Sequence, residues 1–276
     1  MLRTTLVATA ALLLGLAAPK PNPVAPDPNT KRPIEAAREI FIENMTWMEV
    51  RDAMKDGKDT VIIATGGIEQ NGPYLVANKH GIVLQAMTTA IAAKLGNALV
   101  APIVDFVPEG DIDPPTVHMK YPSTVGVTES TYRALLTDIV GSFKVHGFKH
   151  IVLIGDSGGN QDGLEAVAAA QDASAKGGPR VSFIPEYYNY GDVAKFLEKQ
   201  GIHQKPEGIH DDFGITAIMT TVDPNSVRAR QRLKAGKFKI NGIDLSPLKK
   251  TQAWGRRLVK FRTDVTVKAI RAARKG

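Results

Sequence analysis

The sequence predicts an α/β fold in which helices cover both faces of a mostly parallel sheet. Two observations carry this expectation. Candidate strands alternate with candidate helices, the pattern of βαβ crossovers. The strand candidates are also continuous apolar runs rather than in-out alternations, as strands buried on both faces require. With 276 residues, 43% hydrophobic and 23% charged, the chain can fill one full core and shows no bias towards disorder.

Taken in order, "MLRTTLVATAALLLGLAAPK" sets Arg3 before an apolar run from Leu6 to Ala18, with small residues at Gly15 and Ala17. This predicts a signal peptide over 1–18, because the run is shorter than the roughly 20 residues of a spanning helix. The expectation is therefore an exported protein, periplasmic or secreted, with no membrane association after cleavage. Prolines dominate 19–33, which reads as an extended linker, and 34–276 reads as a single domain.

Within that domain a helix near Met48 to Met54 precedes the β-branched run "TVIIATGG", Thr60 to Gly67. A helix from about Ile82 to Leu95 leads to a strand over Ala98 to Val107, and a polar loop follows from Pro108 to Thr124. A helix over Glu129 to His146 leads to "HIVLIGD", and one starting near Gln161 leads to a strand over Arg180 to Tyr187. Near the C-terminus, Arg256, Arg257, Lys260, Arg262, Lys268, Arg271 and Arg274 read as one solvated helix face, with Leu258, Val265, Val267 and Ile270 opposite. The net charge of +7 is not accompanied by interleaved aromatics, so no nucleic-acid partner is expected. The absence of cysteine excludes disulfides, a thiol nucleophile and thiolate metal ligands.

Ligands of such sheets sit beyond the carboxyl ends of the strands. Three loops, "GGIEQNGPYLVANKH", "PEGDIDPPTVHMKYPST" and "GDSGGNQ", converge there, and "GIHDDFGITAIMTTVDP" can close the site. They carry Glu69, His80, His118, Asp156, Ser157 and His210. The string around Ser157 matches that of trypsin-like proteases, but neither their fold nor their histidine motif is present. A serine just after a parallel strand does suit a hydrolase nucleophile, and the neighbouring glycines equally suit a plain turn with a helix cap.

Read together, "GGIEQNGPYLVANKH", "YPST", "GDSGGN" and "HDDFGITA" resemble, in order and spacing, the motifs of the creatininase (creatinine amidohydrolase) family across roughly Asn44 to Val227. The resemblance implies a three-layer α/β/α sandwich, a homo-oligomer, and hydrolysis of amide bonds, often cyclic, at a two-metal Zn or Mn centre. Carried over residue by residue, Glu69 and His210 are retained. Asn71, Tyr74 and Ser157 stand where the family places histidines, His80 where it places a bridging aspartate, and Ile215 where it places a glutamate. The resemblance thus implies a single or altered metal site acting on a C–N bond of a small molecule. Glu69, His80 and Asp156 are the expected metal ligands, and His210 and Asp211 the expected proton carriers. Two alternatives stay open: a non-catalytic small-molecule binder, and a hydrolase using Ser157 as nucleophile.

Overall fold

In the computed structural model, residues 26–173 and 176–275 are described. The expected signal peptide and the first part of the linker lie outside them. The chain divides into Met1–Glu35 and Ala36–Gly276. In the first unit the Asp27 carboxylate accepts from Asn29 N at 2.9 Å, a local turn.

The second unit is built on β1 (Thr60–Thr65), β2 (Ala98–Val100), β3 (His150–Gly155) and β4 (Arg180–Phe183), all parallel, in the order β2-β1-β3-β4. β1 and β3 pair in register from Thr60↔His150 to Thr65↔Gly155, and every residue of both is buried. Side-chain alternation splits the core in two. Ile62, Ala64, Val152 and Ile154 face α2 (Lys79–Leu95), α5 (Tyr190–Lys199), α6 (Phe213–Val222) and α8 (Leu248–Ala273). Val61, Ile63, Ile151 and Leu153 face α1 (Trp47–Lys55), α3 (Glu129–His146) and α4 (Gln161–Gln171). This is the expected three-layer sandwich. A short α7 (Ala229–Lys234) and a small hairpin over 239–244 complete it.

Local chemistry sets the boundaries. Thr46 and Glu49 form a reciprocal capping box on α1, while Asn78 and Thr128 cap α2 and α3. Gly96 and Gly147 end α2 and α3 in the left-handed region. Two strands are shorter than the sequence predicts. Pro102 has no N–H to donate, so β2 stops at Val100; Ala101 N still donates to Ile62 O, and the chain meets β1 again at a bridge between Val104 and Thr65. Pro185 likewise opens a turn just past β4. The C-terminal helix forms as expected except for one residue: Arg262, expected in solvent, is fully buried.

The crossover from β1 leads to β2 on one side, and that from β3 leads to β4 on the other. The strand order therefore reverses between β1 and β3, and a crevice opens beyond their carboxyl ends.

Candidate active site

That crevice is a cavity of about 510 Å³ whose lining includes Glu69, Lys79, His80, Glu109, His118, Asp156, Ser157, His210 and Asp212. Glu69 comes from the loop after β1, and Lys79 and His80 from the first turn of α2. Glu109 and His118 come from the loop after β2, Asp156 and Ser157 from the end of β3, and His210 and Asp212 from the entry to α6.

Glu69 lies at the centre and is almost fully buried. Its Oε1 is 2.8 Å from Lys79 Nζ, 2.8 Å from His80 Nε2 and 3.5 Å from His210 Nδ1, and its Oε2 is 3.2 Å from His118 Nε2. Burial alone would raise its pKa, but the His80 hydrogen bond and the Lys79 charge outweigh that and hold it well below the usual carboxylate range. Asn71, two residues on, donates its amide to the Glu69, Val76 and Ala77 carbonyls, so it staples the loop rather than facing the cavity.

His80 bridges two carboxylates, with Nδ1 2.9 Å from Asp156 Oδ2 and Nε2 2.8 Å from Glu69 Oε1. Burial opposes its charge, yet the hydrogen bonds to Asp156 and Glu69 raise its pKa. Asp156 is paired on both oxygens. Oδ2 also accepts from Tyr190 Oη at 2.9 Å, and Oδ1 accepts from Arg262 Nη2 at 2.9 Å. Arg262 is flanked by the Tyr187 and Tyr190 rings, 4.7 and 4.6 Å from their centroids. Burial would raise the Asp156 pKa, but the Arg262 charge and the His80 hydrogen bond lower it to about 2.

The expected ligand set Glu69, His80 and Asp156 is therefore brought together, but both nitrogens of His80 are engaged by Glu69 and Asp156, and both oxygens of Asp156 accept from His80, Tyr190 and Arg262. Among the described residues, Glu69, His118 and His210 each offer one ligand atom, and these atoms lie within 4.8 Å of one another. His118 and His210 stack with ring centroids 4.6 Å apart. His210 Nδ1 donates to the Gln70 carbonyl at 3.1 Å, which leaves the Nε2 lone pair on the other side of the ring, 3.4 Å from Lys79 Nζ. Burial, then the Lys79 charge, lower the His210 pKa and so favour the uncharged ring.

Glu109 is buried at 4% exposure, and among the described residues no group hydrogen-bonds its Oε1. Burial and the facing Glu69 push its pKa up to about 8. Asp211, an expected proton carrier, does not reach the cavity wall. Its carboxylate accepts from Thr216 Oγ1 at 2.9 and 3.0 Å, and burial raises its pKa to about 7. Asp212 lines the cavity instead and caps α6 through Ile215 N. Ser157 lines the cavity, yet among the described residues no base hydrogen-bonds its hydroxyl, so the elements of a serine triad are not assembled.

Lys79, Glu109 and Arg262 are the participants that sequence reasoning passed over. Lys79 had a legible signal, since it precedes His80 at a helix start. Glu109 and Arg262 had none, because neither spacing nor type distinguishes them from solvated charges.

The sequence matches the family described as creatinine amidohydrolase over residues 43–270. A curated relative, the 3-dehydro-scyllo-inosose hydrolase of Thermotoga maritima, is 24% identical over 63% of this chain. The match spans about half, 53%, of that relative's length. Among solved structures, a creatinine amidohydrolase (creatininase) is similar with TM-score 0.58 and 19% identity over 86% of this chain and 97% of that one. A manganese creatininase gives 0.60 and 17% over 85% and 98%. A variant creatininase of Zn-Zn type gives 0.57 and 18% over 87% and 98%.

Proposed function

The chain belongs to the creatininase family, and on that premise we propose that it hydrolyses a C–N bond of a small, cyclic amide with the help of one divalent ion, Zn or Mn. The observation that carries this reading is the convergence of Glu69, His118 and His210 within 4.8 Å in the wall of the switch-point cavity.

The donor chemistry fits one such ion: one carboxylate and two imidazoles are three protein ligands of the right types for a catalytic site with an open position. It does not fit two. The two other expected ligands, His80 and Asp156, are paired with each other, and Asp156 also with Arg262. An ion bound by Glu69, His118 and His210 supplies Lewis-acid polarisation and a nucleophilic water at neutral pH.

The remaining work falls to side chains. Glu69, fixed ionised, holds the charge of the site constant across neutral pH. The Gln70 carbonyl holds His210 in the tautomer whose Nε2 carries the lone pair. Glu109 keeps its proton at pH 7 in a buried wall and passes it to the departing nitrogen. Asp212 and Ser157 border the space where the substrate sits. In this reading the enzyme is exported through residues 1–18 and assembles from identical subunits.

A panel of cyclic and linear amides, assayed with chelator and after restoring Zn or Mn, tests the reading. Turnover that chelator abolishes and the ion restores is expected; turnover indifferent to chelator would overturn it. A second reading, a pocket that binds without turnover, is favoured by one observation: the Lys79 ammonium lies against Glu69 and His210, two of the three candidate ligands. Ligand binding with no turnover on the panel would select it.

A further inference from the structure

Lys79 is 1% exposed, yet it is among the residues that line the cavity. A buried ammonium is costly unless it is paired and hydrogen-bonded. Its partners are Glu69 Oε1 at 2.8 Å and His210 Nε2 at 3.4 Å. Because His210 Nδ1 faces the Gln70 carbonyl, Nε2 presents a lone pair, and the ammonium points at it. A carboxylate oxygen and an imidazole lone pair held on one cation are what a divalent ion would take at the same place. Two cations cannot share them, since unit charges a few ångströms apart repel strongly in a buried site.

We propose that Lys79 is an intramolecular surrogate for a divalent cation: its ammonium and an ion compete for Glu69 and His210, and an ion enters only as the Lys79 side chain swings aside. The side chain suits this role, being a compact charge on a flexible four-carbon stem. A destination exists as well, because the Glu109 and Asp212 carboxyls line the same cavity. The inference takes the identity of the ligands from the function proposed above. It adds that the chain carries a device opposing ion binding in its own active site.

Calorimetric titration of Mn²⁺ and Zn²⁺ into chelator-stripped full-length protein tests it, comparing wild type with Lys79→Gln and Lys79→Arg at one pH. Lys79→Gln, which removes the competing charge, is expected to bind the ion at least tenfold more tightly. Lys79→Arg, which keeps the charge, is expected to stay as weak as wild type or weaker. Equal or weaker binding by Lys79→Gln overturns the proposal, and so does a gain in Lys79→Arg, which alone decides the matter if Lys79→Gln does not fold. The outcomes also separate the two claims. Binding by Lys79→Gln but not by wild type upholds the surrogate and sinks the ion-dependent hydrolase. Equal binding by both does the reverse, and binding by neither overturns both.

Discussion

Arg262 and Asp156 show how far a single pair reaches. The guanidinium donates to Asp156 Oδ1, Asp156 Oδ2 faces His80 Nδ1, and His80 Nε2 faces Glu69. A charge on the C-terminal helix thereby fixes the orientation of the central carboxylate. Removing one partner of a buried pair strands the other charge, which costs about 3–5 kcal/mol. Arg262→Met should therefore lower stability by that amount in urea unfolding, and adding Asp156→Asn should recover part of it. Equal losses in the single and double variants would show that the pair does not hold the network. Sequence alone could not show this residue's place. Arg262 is grouped with Arg256, Arg257, Lys260, Lys268, Arg271 and Arg274 on one predicted face, and a charge at helical spacing reads as solvated unless its acceptor, 106 positions earlier, is known. His118 was a legible ligand type on the right loop, but only the fold brings it to Glu69.

At the scale of elements, the strands that position the site were legible and their neighbours less so. β1 and β3 are unbroken β-branched and apolar runs, so their burial and their parallel pairing follow from composition. β2 and β4 are cut short where Pro102 and Pro185 withdraw a donor, a boundary that apolar content conceals. α6 is apolar along nearly its whole length, and such a run does not reveal its period. It forms a helix because Asp212 caps it and it packs between α2 and α8. The α6–α8 crossing depends on Gly255, where a Cβ would overlap the Ala217 carbonyl oxygen. Overpacking of this kind costs about 1–3 kcal/mol. Gly255→Ala should lose that much in thermal or urea unfolding; an unchanged midpoint would mean that the helices shift apart freely.

For the molecule as a whole, the same buried charges set its response to pH. Glu109 is raised from its usual 4.5 to about 8, by burial first and by Glu69 second. Below 4.5 it is protonated whether the chain is folded or not. Between 4.5 and 8 only the unfolded chain ionises it, so its contribution to stability is lost as pH rises through that window. Asp156 has the opposite sign. Lowered from 3.8 to about 2, it stabilises above 3.8 and ceases to do so as pH falls towards 2. In chelator-stripped protein the thermal midpoint of Glu109→Gln should therefore decline less between pH 5 and 8 than that of wild type. Parallel curves would place the Glu109 titration elsewhere.

The proposed chemistry is placed in the cavity where the strand order reverses, with Glu69, His118 and His210 as the ligands of one ion. Metal content per chain, measured by mass spectrometry after equilibration with Zn²⁺ or Mn²⁺, tests that claim most directly. One ion per chain in wild type, lost in Glu69→Gln, is the predicted result. Two ions per chain, or one that persists in Glu69→Gln, would contradict it.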